Sequence, residues 1–159
     1  MDTNAFFRCT SLKTVSIPST VTSISVQPFA GCYSLTSINV DAANPKYAGV
    51  GGVLFDKALT TLIQFPGGLA GAYTIPTGVT KIGNGSFRGS ALTQVFVPAG
   101  VATMEWGAFI ESSNLQEIVF LGNAPTLVTP AVPSTLKRVY YLSTASGWTA
   151  TFNGIATSP

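Results

Sequence analysis

The stretch AFFRCTSLKTVSIPSTVTSI, Ala5 to Ile24, decides the fold, because its residue types recur down the chain at the same offsets. From Phe6 the pattern runs through Leu12, then Val15 and Ile17, then Pro18, and on to Val21 and Ile24. Phe29 stands 23 residues after Phe6 and restarts it with Leu35, Ile38 and Val40. Phe87 leads to Leu92, Val95, Val97, Pro98, Val101 and Met104, one residue short before the Leu, and Phe109 leads to Leu115, Ile118 and Phe120. Val15 and Ile17 alternate with Thr14 and Ser16, the period of two that sends one set of side chains inward and the other outward along a strand. Pro18 has no amide hydrogen to give a sheet ladder, so the strand ends there and the chain turns. Val21 and Ile24 then point inward from the opposite wall.

A period in the low twenties with a Leu-x-x-Val-x-Ile core is the pattern of a leucine-rich solenoid, each coil supplying one short strand. One coil cannot bury its apolar wall alone, so neighbours must stack. The expected fold is mainly β: a right-handed solenoid of about six coils of about 23 residues, with a parallel strand ladder and little helix beyond short 3₁₀ turns near the Phe positions. Residues 1–159 read as one such solenoid. Met1 falls in the column of Ile24, Ile82 and Met104, so the first coil, Met1 to Ile24, starts in mid-coil, which predicts a segment of a larger protein or a processed form. Asp41 to Gly52 reads as a projecting loop, Val53 to Phe65 as a hairpin-like pair around Asp56-Lys57, and Pro66 to Gly68 as a turn. Tyr73-Thr74-Ile75-Pro76 is placed on the convex wall, and Asn84-Gly85 is a turn that favours positive φ. Leu136, Val139 and Tyr141 repeat the strand spacing, with Trp148 and Phe152 covering the end of the core.

The strings AFFRCTSLKTVSIPSTVTSI and PFAGCYSLTSINV (Pro28 to Val40) resemble the BspA-type, or treponemal, leucine-rich repeat: an Ala-Phe, a Cys, a Ser-Leu, an Ile-x-Ile-Pro and a Val-x-x-Ile. The stretch Asn44 to Ile82, within an expected longer unit over residues 41–82, is similar to an interrupting unit common in that family. GNAP at Gly122 to Pro125 and VYYLSTASGWTATFNG at Val139 to Gly154 resemble its C-terminal end, expected over residues 122–159. Ser90 and Ser112 stand near the places of the favoured Cys, and Ala30 and Asp41 replace other favoured residues, departures that touch packing detail. The resemblance implies a cell-surface or extracellular adhesion module.

Composition narrows the chemistry. The chain is 46% hydrophobic and 9% charged, against about a quarter charged in an ordinary domain, and its mean hydropathy is +0.40. Ser, Thr, Asn, Gln and Gly must carry the solvated face. The net charge of +2 comes from scattered basic residues, which gives no footprint for nucleic acid or an anionic membrane. No apolar run approaches the roughly 20 residues of a membrane helix, so no membrane insertion is expected, and no secretory signal is visible. The chain has no His, which excludes a Ser-His-Asp or Cys-His arrangement and any His-containing metal site. The carboxylates Asp2, Asp41, Asp56, Glu105, Glu111 and Glu117 form no glycosidase pair by spacing. Gly49, Gly51 and Gly52 fail the phosphate-cradling fingerprint. We therefore expect no catalytic residues, no cofactor and no metal. Asn84-Gly85-Ser86 matches a short glycosylation motif that arises often by chance.

Cys9 and Cys32 occupy the same place in adjacent coils, where stacking brings Cα atoms to about 5 Å, within disulfide range. Cys is also a favoured small apolar filler at such sites, and two free thiols are the favoured reading over a bridge. Function is expected on the outward column of the ladder: Ser16, Asn39, Phe96, Val119 and Tyr140, with Gln64 filling the gap. Phe96, Val119 and Tyr140 would form an exposed stripe for a partner, rimmed by Gln94, Glu117 and Arg138. The partner is a protein or glycan on another cell or matrix. The alternative is copies of the chain itself, stacking end to end into a filament or layer.

Overall fold

The computed structural model describes residues 5–159; the expectations for Met1 and Asp2 fall outside the described residues. The chain is a β-solenoid of about seven turns, one more than the period suggests. Fourteen short strands and no helix occur among the described residues. The parallel ladder is built from strands β1 (Thr14–Ile17), β2 (Ser37–Val40), β6 (Ala70–Thr74), β8 (Ala91–Val97), β10 (Glu117–Phe120), β12 (Arg138–Tyr141) and β14 (Ile155–Ser158). β6, β8, β10, β12 and β14 form one parallel run, closed by an antiparallel partner, β13 (Thr151–Phe152), while β1 and β2 pair separately. The opposite wall carries β5 (Thr61–Gln64), β7 (Lys81–Ile82), β9 (Thr103–Met104) and β11 (Thr126–Leu127) in parallel register.

The coils that start at Phe6, Phe29 and Phe109 are built the same way, and the Phe87 coil, one residue shorter, keeps only the first of the two turns. Two consecutive tight turns span Phe-x-x-Cys-x-x-Leu: Cys32 N donates to Phe29 O at 3.1 Å and Leu35 N to Cys32 O at 3.0 Å, repeated at Ser112 and Leu115 after Phe109. These are the expected 3₁₀-type bonds, each too short a run to make a helix. The residue two after the Phe is left-handed in every such coil: Arg8 (φ 56), Gly31 (77), Gly89 (69) and Glu111 (62). Gly is strain-free there, and Arg8 and Glu111 accept the strain. The next residue is buried at Cys32, Ser90 and Ser112, and exposed only at Cys9 in the first described coil, and Ser takes the place of Cys without changing its role. Cys32 Sγ donates to Phe6 O at 3.0 Å, and Ser112 Oγ to Phe87 O at 2.7 Å. The Phe rings stack from coil to coil: Phe6 on Phe29 at 5.4 Å, Phe65 on Phe87 at 5.2 Å, Phe87 on Phe109 at 4.5 Å.

The stretch after Val40 departs from its expected form. Instead of projecting as a loop, it folds back as β3 (Tyr47–Val50), antiparallel to β4 (Val53–Asp56), which pairs antiparallel with β5. Asn44 is fully buried and makes all the bonds an amide can: Nδ2 donates to Pro18 O and Val21 O, and Oδ1 accepts from Lys46 N and Tyr47 N, at 2.8–2.9 Å. The hairpin tip lies against β2, with Ile38 N donating to Gly52 O at 2.8 Å. This contact occupies the edge of β2 where the ladder would otherwise continue. The expected hairpin around Asp56-Lys57 is present, and Gly85 has φ 58 as its turn requires.

Because β4 is buried on both faces, it divides the interior. Leu54 packs with Ile17, Phe29, Leu35 and Ile38, while Val53 and Phe55 join the larger core that continues through Phe87, Phe109 and Ile118 to Phe152. At the C-terminal end Trp148 packs on Phe120, Tyr141 and Phe152 with ring centroids 4.8–5.3 Å apart, as expected of a cover for the core.

Candidate partner-binding face

β8, β10 and β12 lie in strict register, so that Gln94, Glu117 and Arg138 form one row and Phe96, Val119 and Tyr140 the next. The alternate residues Val95, Val97, Ile118, Phe120 and Val139 are buried, which turns both rows to the outer side of the sheet. The structure thus brings all six expected residues together. Phe96, Val119 and Tyr140 are half-buried, and Arg138 is exposed. Gln94 Nε2 donates to Glu117 Oε2 at 2.9 Å, which ties two members of the polar row together.

The column has different outer members from those expected. Gln64 lies on β5 in the opposite wall, almost fully buried, with Nε2 donating to Phe65 O and Ser86 O. Its place is taken by Thr74, whose partner across the ladder is Phe96. Tyr73-Thr74-Ile75-Pro76 therefore belongs to the strand ladder and its closing turn, not to the convex wall. The signal was present: Tyr73-x-Ile75-Pro76 has the spacing of Val15-x-Ile17-Pro18 and Val95-x-Val97-Pro98. Ser16 and Asn39 sit on the separate β1–β2 pair, beyond the hairpin, and do not continue the stripe.

Two residues of this face were missed. Leu121 and Leu142 directly follow Phe120 and Tyr141 and are 39% and 47% exposed. Leu121 N still donates to Val97 O at 2.9 Å, so the alternation runs on there and places Leu121 beside Val119, while Leu142 follows the end of β12 directly. The period of two, carried one step past the strand ends, would have found them. The C-terminal tail does not fold back across the stripe; β14 pairs with β12 and sets Ser158 beside Tyr140.

Elsewhere two ion pairs hold charged side chains from neighbouring coils together. Glu105 pairs with Lys81 and Glu111 with Arg88, both at 2.5 Å, and the hydrogen bond from Arg88 holds the Glu111 carboxyl below its ordinary value. Among the described residues no three His, Cys, Asp or Glu side chains cluster as metal ligands. No helix among them is long and apolar enough to cross a membrane. Asn84 accepts from Gln27 Nε2 at 2.7 Å, and Ser86 is fully buried, so the Asn84-Gly85-Ser86 motif is not presented as an open loop.

Six copies of a repeat described as BspA type leucine rich repeat region match residues 1–70 and 65–131. The chain belongs to the BspA-type leucine-rich repeat family. No curated protein matches it. Solved structures with the BspA-type chain's fold include the pneumococcal vaccine antigen PcpA, at 19% identity and a TM-score of 0.58, covering 82% of this chain and 45% of that one. A leucine rich cell surface protein from Faecalibacterium prausnitzii A2-165 matches at 23% identity and a TM-score of 0.61, over 81% of this chain and 41% of that one. A leucine-rich repeat protein from Eubacterium ventriosum matches at 20% identity and 0.58, over 81% and 42%. The BspA-type chain spans less than half the length of each.

Proposed function

We propose that this chain is a non-catalytic recognition module, displayed at a cell surface or secreted, that binds a protein or glycan on another cell or matrix through the outer face of β8, β10 and β12. The observation that carries the reading is the registered apolar stripe Phe96, Val119, Tyr140, widened by Leu121 and Leu142 and rimmed by Gln94, Glu117 and Arg138. Apolar groups in a contiguous patch with a polar border are the usual makings of a contact surface. A surface location is supported by the family and by the printed description of one structural relative as a cell surface protein.

The test is binding of the wild type and of a Phe96→Ser, Tyr140→Ser double variant to a glycan array and a panel of matrix proteins. Loss of binding with a nearly unchanged Tm is expected, since both side chains are only half-buried. Unaltered binding in the double variant removes the strand face from the reading.

Self-assembly is the second reading. Phe6 and Phe7 are 37% and 40% exposed on the first described coil, and β1 pairs only with β2 among the described residues, an apolar edge of the kind that recruits another copy. Head-to-tail stacking also needs a receptive opposite end, and there the antiparallel β13–β14 hairpin ends the ladder. Light scattering across a concentration series separates the readings: a constant mass near 16.5 kDa sinks assembly, and growing end-to-end particles support it.

A further inference from the structure

The repeat carries a second feature, at the turn three residues after each Phe. Cys9 and Cys32 are free thiols at equivalent places in the first two described coils, Cys9 exposed and Cys32 buried. The two coils run in step across this turn: Phe6 N donates to Pro28 O at 3.0 Å, Arg8 N to Ala30 O at 2.8 Å, and Thr14 faces Ser37 in the ladder. Cys9 therefore stacks on Cys32 at the inter-coil spacing of about 5 Å, inside the Cα range of disulfides. The same turn further along shows what side chains do at this position. Ser90 and Ser112 are its occupants there, and their Oγ atoms meet at 3.2 Å while Ser112 Oγ also donates to Phe87 O. Cys32 Sγ makes the matching bond, to Phe6 O. The γ atom of the second coil thus has the same anchor in both pairs, and the γ atom of the first coil is its neighbour.

We propose that Cys9 and Cys32 are a disulfide site, reduced here, that staples the first two coils together when the chain meets an oxidising thiol–disulfide pool. The exchange balances in two steps. The Cys9 thiolate attacks one sulfur of a small disulfide such as oxidised glutathione, forming a mixed disulfide and releasing one glutathione thiolate. The Cys32 thiolate then attacks the Cys9 sulfur, forming the Cys9–Cys32 bond and releasing the second. The two thiols lose two protons, and their two electrons end on the two glutathiones. Exposure makes Cys9 the entry point. Burial pushes the Cys32 thiol above its ordinary value, so the second step quickens as pH rises.

The full chain is equilibrated with oxidised glutathione at mildly alkaline pH, blocked with N-ethylmaleimide, and measured by intact mass and peptide mapping, with thermal melts before and after reduction. The expected product is a monomer two hydrogens lighter than the reduced chain, unreactive to the blocking agent, with Cys9 and Cys32 peptides joined. Its Tm should be higher by roughly 5–10 °C, a rise lost on reduction. In Cys32→Ser the exchange should stop at Cys9 carrying glutathione. The proposal is overturned if the wild type stops at that same adduct with Cys32 still alkylated, if chains cross-link through Cys9, or if both thiols stay reduced.

Discussion

Asp56 closes the turn between β4 and β5 with one carboxylate. Oδ1 accepts from Thr60 N at 2.8 Å and Thr61 N at 2.9 Å, and Oδ2 from Thr60 Oγ1 at 2.7 Å. Burial opposes the charge, but the hydrogen bonds from Thr61 and Thr60 outweigh it, and the carboxyl lies below its ordinary value of 3.8. Because the folded value is the lower one, this group adds stability above the unfolded pKa and loses it as pH falls through the folded pKa. The stability should therefore drain away below about pH 4. Asp56→Ala removes three accepted bonds in a partly exposed turn, and a loss of about 1–2 kcal/mol at neutral pH is expected. Urea titrations at neutral pH and near pH 3 check it: the gap between variant and wild type should shrink at the lower pH, and a gap that stays constant would show that the carboxylate's charge is not what holds the turn.

The hairpin β3–β4 is the element that makes this chain more than a regular stack, and Asn44 pins it to the first described coil. Asn44→Ala would leave Pro18 O, Val21 O, Lys46 N and Tyr47 N without that partner in a fully buried place. The expected cost is about 2–4 kcal/mol, read as a lower denaturation midpoint with faster amide exchange at Tyr47 and Ile38 than at Ile118. Equal acceleration at all three sites would mean that Asn44 supports the whole solenoid and not the hairpin alone. The regular coils were legible because burial there follows spacing alone: Leu35, Ile38, Leu92, Val95, Leu115 and Ile118 all stand where the period puts them, and all are buried. Residues 41–74 were less so, for a physical reason. A strand buried on both faces, like β4, shows no alternation. β6 has Ala, Gly and Ala where the other strands carry larger side chains, so only its Tyr-x-Ile-Pro end marks it. The candidate face was legible for the same reason as the coils, and its outer column was wrong only where that hairpin displaced the ladder.

For the whole molecule the consequence is unequal stability along the axis. Among the described residues the N-terminal cluster has 6 buried apolar residues and the C-terminal core 23, so the free energy available to hold the first described coils is far smaller. The two regions are joined by β4, whose neighbours Leu54 and Phe55 face different clusters, and by Gln27, which binds Asn84 at 2.7 Å and accepts from Arg88 at 2.8 Å. In a linear array stability is set by each coil and its neighbours, and a weakly joined end opens before the rest. Both tryptophans, Trp106 and Trp148, belong to the C-terminal part. Tryptophan fluorescence therefore reports the larger core alone, while circular dichroism reports every strand. In a urea titration the dichroism signal should begin to fall first, and the fluorescence midpoint should come later. Filling the joint should close that gap and emptying it should widen it, so Leu54→Ala is expected to move the early phase to lower urea and leave the fluorescence midpoint almost in place. Coincident transitions in the wild type would show instead that β4 and Gln27 couple the two cores into one cooperative unit.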